Sequence, residues 1–345
     1  MTVEKILVTG GSGFVAGHII IQLLEQGYHV RTTIRSMTRQ AQVRQVLQDA
    51  GMARNAPLEF VTADLMQDAG WAEAVAGVDY VLHVASPVHI AGVKDDDEVI
   101  TPAREGTLRV LRAARDAKVK RVVLTSALHA VGFGHGKIDR TFTENDWTPL
   151  DGPGVDAYGK SKVLAEKAAW DFIDNEGQRM ELTTILPVAI MGPVMGDGIS
   201  GANEIVQRSL DGRMPGYPNM FVPIVDVRDV AAAHIAAMTN PAAAGERFLV
   251  VSDKPAIAMK QIGAILKNTF GDDAKKVPTR TIPDFVVRLA ALFNNEFKPI
   301  AADLNYSKKI SGEKTARVLG VRPRDPEIAI KAAAESMLAK SLIKN

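Results

Sequence analysis

With 345 residues, 46% of them apolar and 23% charged, the chain has the makeup of one large or two closely joined globular domains with a sizeable core. A net charge of +1 gives no electrostatic basis for nucleic acid or an anionic membrane as the main partner. The absence of cysteine excludes disulfides, thiol nucleophiles and cysteine-ligated metals, and it fits a reducing cytoplasm. No apolar run approaches the roughly 20 residues needed to span a bilayer, and the opening "MTVEKILVTGGSG" reaches a strand without the apolar stretch of a secretory signal.

Short apolar runs predict strands over 5–10, 29–35, 58–64, 79–85 and 121–127. Helical patterns separate them over 17–25, 39–49, 71–76 and 97–117. The acidic run "KDDDE" (94–98) starts the last of these, its carboxylates complementing the positive end of the helix dipole. A further helix ends near Asn175, and "ELTTILPVAIMGP" (181–193) predicts another buried strand. Strands that are apolar nearly throughout, alternating with helices, belong to a parallel sheet covered on both faces. Beyond 190 the rhythm changes to Gly/Pro-rich segments and helices over 230–238, 259–270 and 282–292, with one more strand at "ERFLVVS". The expected fold is therefore α/β, a Rossmann-type doubly wound sheet with a smaller, more helical C-terminal region. The dinucleotide-binding part is expected to span 1–190 with a contribution from 222–252, and the substrate-binding part 191–221 and 253–345.

"VTGGSGFVAGH" (8–18) joins the first strand to the first helix. Gly10 allows the sharp turn, and Gly13 lets the backbone approach a pyrophosphate seated on helix-terminal amides at Phe14 and Val15. Ala16 stands where a third glycine is usual. The second strand selects the dinucleotide. No acid lies between Tyr28 and Gln48 to accept a ribose 2′-hydroxyl; Arg35 sits there instead, with Arg39 one turn on. A guanidinium suits a 2′-phosphate, so the expected cofactor is NADP(H). In "DAYGKSK" (156–162), Tyr158 and Lys162 are four apart and share a helix face. An ammonium one turn away favours the phenolate, so the tyrosine pKa is expected to fall from its usual value of about 10.

Together these motifs resemble the extended short-chain dehydrogenase/reductase superfamily, in particular its dihydroflavonol 4-reductase, cinnamoyl-CoA reductase and microbial aldehyde/ketone reductase branch. "VTGGSGFVAGHI", "RTTIR", "TADL", "VLHVASP", "RVVLTSA", "YGKSK", "TTILPVAIMGP" and "IVDVRDVAAAHIAAM" carry the resemblance, which covers essentially the whole chain. It implies that Asp64 and Leu65 flank the adenine, that Ala85 and Ser86 lie along the nicotinamide half, and that Pro187 and Val188 border the carboxamide. It implies Tyr158 as proton donor and Lys162 as holder of the nicotinamide ribose. One position departs. Relatives usually end the fifth strand with two hydroxyl residues, the second being catalytic, whereas "LTSALHAV" puts Ala127 there. Ser126 is expected to take the role, with Thr125 beside it as the alternative and as a cofactor contact.

The expected activity is NADPH-dependent reduction of an aldehyde or ketone. Val88, Phe133, Met191, Met195, Tyr217, Met220 and Phe221 are candidates for an apolar pocket wall. An NAD-dependent nucleotide-sugar epimerase or dehydratase shares the fold and the Tyr/Lys pair, but its second strand usually ends in an acid. A non-catalytic NADP-binding sensor would typically lack the tyrosine or the lysine. A small-molecule carbonyl or alcohol is the expected partner, with a monomer or homodimer as the assembly and no metal.

Overall fold

The computed structural model describes residues 3–87 and 95–344. In chain order it forms β1 (Lys5–Val8), α1 (Phe14–Glu25), β2 (His29–Ile34), α2 (Gln40–Asp49), β3 (Leu58–Thr62), α3 (Trp71–Val75) and β4 (Tyr80–His83). Then follow α4 (Asp97–Asp116), β5 (Arg121–Thr125), α5 (Ala157–Glu176), β6 (Glu181–Pro187), α6 (Asn203–Leu210), α7 (Val227–Thr239) and β7 (Arg247–Val250). The C-terminal helices are α8 (Met259–Phe270), α9 (Asp284–Phe293), α10 (Phe297–Asp303) and α11 (Pro326–Ala339). These seven strands form one sheet in the order β7-β6-β5-β4-β1-β2-β3, every pairing parallel. Helix α1 begins three residues earlier than the apolar pattern suggested, directly after Gly13.

The period of two is visible in the core. Ile6 and Val8 of β1, with Val123 of β5, pack on the face covered by α1 and α7. Leu7, Val122 and Leu124 point the other way, toward α3, α4 and α5. Both faces are dry, which is why the strands are apolar at nearly every position. A third cluster, including Met191, Val206, Leu210, Ile262, Leu266 and Ile330, forms the core of the C-terminal region. Among the described residues, no helix is long and apolar enough to cross a membrane.

The strand order reverses at β1, which lies between β2 and β4. In open parallel sheets the crevice beyond the carboxyl ends of the strands at such a reversal is the ligand site. Here that crevice is bordered by the glycine loop after β1, by residues 84–87 after β4, and by the turn after β5.

Candidate active site

Gly10 takes φ +76°, and a Cβ there would come within 3.0 Å of the Ala85 Cβ, so the turn and the end of the neighbouring strand β4 are in contact only because this residue is glycine. Its amide donates to Thr33 Oγ1 at 2.9 Å. Thr9 fastens the other side: its hydroxyl accepts the amides of Val84 (3.0 Å) and Ala85 (2.9 Å) and meets His83 Nδ1 at 2.9 Å. Burial pushes His83 down to about 3, so it is neutral and takes the Thr9 proton on Nδ1. Helix α1 then starts with no side-chain cap and no acid in its first turn. The amides at Phe14 and Val15 therefore present an uncompensated positive helix end.

Arg35 and Arg39 are both exposed. Arg39 reaches Gln42 Oε1 at 3.5 Å, and neither arginine pairs with a carboxylate among the described residues. Asp64 receives the Met66 amide at 3.0 Å, and Leu65 packs against Gly106 of α4. Pro187 closes β6 opposite Val250, and the buried Val188 follows it.

Tyr158 and Lys162 lie in the first two turns of α5, whose N-terminus is capped by Asp156 accepting the Gly159 amide at 2.8 Å. Lys162 Nζ donates to Ser86 Oγ at 3.2 Å and stands 5.6 Å from the centre of the Tyr158 ring. Burial dominates both groups. The tyrosine is pushed up to about 12, chiefly by burial and then by the nearby Asp156 charge. Burial brings the lysine down to about 8, against the opposing pull of Glu166. The expected lowering of the tyrosine is thus not found. A phenolate shielded from water costs more than one buried ammonium, set over the ring, returns.

Ser126 does not reach the crevice. Alternation along β5 turns it to the α5 face, where its Oγ donates to Glu166 Oε2 at 2.6 Å. Thr125 faces α7, with Oγ1 2.7 Å from His234 Nε2. Burial holds His234 down to about 4, and its Nδ1 bonds the Val230 carbonyl at 2.8 Å. A carbonyl only accepts, so Nδ1 carries the proton and Nε2 must accept from Thr125. Each hydroxyl has one proton, and both protons are committed to the interior. This overturns the expectation that Ser126 polarises a substrate, and it removes Thr125 as its substitute.

Glu166 is fully buried and anchors α5. It also accepts from Thr184 Oγ1 (2.8 Å) and pairs with Arg247 Nε of β7 at 2.8 Å. The Arg247 guanidinium lies 3.7 Å from the centre of the Trp147 ring and donates to the backbone carbonyls of Glu144 and Asp146. Sequence reasoning missed this network, as it missed Thr9, His83 and His234. Its contacts join residues up to 103 positions apart, and no local pattern links them.

Of the pocket candidates, Phe133 lies beside the pair. His129 stacks on it, with ring centres 4.1 Å apart, and meets Tyr158 edge-on at 4.9 Å. Lys308 Nζ lies over the Phe133 ring, 4.5 Å from its centre; the pairing of Lys309–Ile310 with Thr141–Phe142 brings that segment in. Met191 and Tyr217 are instead fully buried. Met191 belongs to the C-terminal core, and the Tyr217 hydroxyl bonds Ser209 at 2.9 Å with the ring pressed on Gly263. Neither has surface to offer a ligand, because the Gly/Pro-rich segments carrying them fold inward. Met195 sits over Gly17, on α1. Met220 and Phe221 lie by the short pairing of Phe221–Val222 with Ile257–Ala258. Val88 falls outside the described residues.

The family model of the 3-beta hydroxysteroid dehydrogenase/isomerase family matches residues 7–280. The chain belongs to this family. It is an oxidoreductase of the extended short-chain dehydrogenase/reductase type. A ketoreductase of Aspergillus niger, azaE, is 30% identical over 98% of both chains. An anthocyanidin reductase of Vitis vinifera is 33% identical over 69% of this chain and 73% of its own. Among solved structures, the yeast methylglyoxal/isovaleraldehyde reductase Gre2, complexed with NADPH, superposes with a TM-score of 0.79 at 25% identity, over 98% of this chain and 100% of that one.

Proposed function

We propose that the protein reduces an aldehyde or ketone with NADPH, with Tyr158 as proton donor and Lys162 as its electrostatic partner. The observation that carries this is the Tyr158/Lys162 pair at the mouth of the crevice, with Lys162 tied to Ser86 at the end of β4. The residues fit the cofactor. The uncapped start of α1 suits a pyrophosphate, the exposed Arg35 suits a 2′-phosphate, and the buried Lys162 ammonium has donors to spare for ribose hydroxyls. Asp64 and Leu65 would border the adenine, and Ala85, Pro187 and Val188 the nicotinamide.

When bound, NADPH supplies the hydride to the carbonyl carbon. Tyr158 gives its phenolic proton to the oxygen as charge develops there. At about 12 the phenol holds that proton throughout the physiological range, so it is always loaded for reduction. Lys162 lowers the cost of the phenolate left behind. Phe133 and His129 form one wall, and the Tyr306–Lys308 segment adds to it, which brings part of 253–345 to the substrate side. A flat aromatic surface of this kind suits aryl carbonyls.

The test is NADPH oxidation, followed by absorbance, with benzaldehyde, ethyl benzoylformate and a bulky aryl ketone. Turnover with NADPH in preference to NADH is expected. NAD(H) retained in the purified protein with no turnover would point to an epimerase instead. Arg35→Ala should reduce kcat/KM with NADPH by roughly 10–100-fold, the worth of a charge-assisted hydrogen bond, and leave the NADH value nearly unchanged. Equal losses with both cofactors would remove Arg35 as selector.

The rate should also depend on pH through Lys162. Its pKa of about 8 lies below that of Tyr158 at about 12, so the ammonium is lost first as pH rises. In the free enzyme, kcat/KM for reduction should be level near neutrality and fall above pH 8. A Lys162→Met variant should be slower and lack that alkaline limb; a limb that persists would belong to another group.

A further inference from the structure

The carbonyl-reductase reading leaves one position empty. The substrate's carbonyl oxygen has two lone-pair directions, and Tyr158 serves one. Ala127 has no hydroxyl, Ser126 donates to Glu166, and Thr125 donates to His234. None of these three supplies the second donor.

We propose that His129 donates a hydrogen bond to the substrate's carbonyl oxygen, beside Tyr158, in the role that Ala127 cannot fill. His129 lies in the turn Leu128–Ala130 directly after β5, two positions beyond Ala127. Its ring meets the Tyr158 ring edge-on at 4.9 Å. Neither the His129 ring nitrogens nor the Tyr158 hydroxyl has a hydrogen-bond partner among the described residues. None of these atoms is sealed away either, since no fully buried side-chain nitrogen or oxygen there lacks a partner. Two rings in contact thus each carry an unpartnered polar group, and one acceptor oxygen placed between those groups would satisfy both.

The imidazole is also held in place. It stacks almost flat on Phe133, at 7° and 4.1 Å, and the Lys308 ammonium also lies over the Phe133 ring. Lys308 is itself fixed by Asp303. Burial, with the charges of Lys162 and Lys308, outweighs the pull of Asp156 and keeps His129 down to about 4. A neutral imidazole carries one N–H to donate and keeps its proton through the reaction; the proton that moves is that of Tyr158. The arrangement polarises the carbonyl without adding a second acid.

This inference rests on the reductase reading, and the experiment separates the two. Steady-state rates with NADPH and ethyl benzoylformate are measured for the wild type, for His129→Phe and for Ala127→Ser/His129→Phe, together with NADPH binding by fluorescence. Phenylalanine preserves the stack on Phe133 and removes only the donor. His129→Phe should lower kcat by about 10²–10³-fold, the usual loss for one oxyanion donor, with NADPH affinity unchanged. Ala127→Ser should recover at least tenfold of that loss, since it restores a hydroxyl where relatives carry one. A wild-type kcat for His129→Phe, or a loss that Ala127→Ser does not recover, overturns the proposal while the reductase reading stands. A wild type inactive on every carbonyl tested overturns both.

Discussion

Tyr158→Phe should lower kcat for carbonyl reduction by ~10²–10⁴-fold, the range a positioned general acid contributes, and leave NADPH binding and stability almost unchanged. The expectation is sharp because the hydroxyl has no hydrogen-bond partner among the described residues. The ring does the packing, meeting His129 at its edge and Lys162 over its face, and phenylalanine keeps both contacts. Structural damage therefore does not explain a loss of rate. Stopped-flow single turnovers would separate the chemical step from product release. Single-turnover rates equal to those of the wild type would remove Tyr158 as the acid.

Glu166→Ala should cost ~3–5 kcal/mol of stability, read as a lower urea midpoint, because it strands a buried guanidinium. Arg247 then retains only the carbonyls of Glu144 and Asp146 and the face of Trp147. Ser126 and Thr184 lose their acceptor as well. Replacing both ions by methionine should recover most of the loss, since a buried ion pair is costly to break but often neutral to remove whole. A midpoint unmoved by the single substitution would mean that water reaches the pair. The same change should move the alkaline limb of the rate profile to lower pH, because Glu166 is what holds Lys162 up against burial.

The sheet was legible because its strands are buried on both faces and so are continuously apolar, as in "RVVLT" and "TTILP". The glycine loop was legible because its geometry is local: φ +76° at Gly10 and the start of α1 lie within five residues. The Tyr158/Lys162 juxtaposition follows from helical spacing alone. The fate of Ser126 was not legible, because it depends on a carboxylate 40 positions away whose own environment is set by an arginine 81 further on. Nor was the rise of the Tyr158 pKa, since spacing reveals a neighbouring charge but not the depth at which both groups sit. Met191 and Tyr217 misled for a related reason: an apolar residue on a Gly/Pro-rich segment looks the same in sequence whether it lines a pocket or fills a core.

The Glu166–Arg247 pair also has a temporal side. Strand β7 is the sheet's edge and the last strand to be made, yet its arginine neutralises the carboxylate one turn beyond Lys162. During synthesis, the helix bearing Tyr158 and Lys162 emerges long before its counter-ion exists. Until residue 247 arrives, Glu166 has neutral hydrogen-bond partners only, among them the hydroxyls of Ser126 and Thr184, and a carboxylate buried without its counter-ion takes up a proton rather than stay charged. A chain truncated before residue 247 is therefore expected to hold α5, with Tyr158 and Lys162, less firmly on the sheet than the full chain does, which its urea midpoint would show.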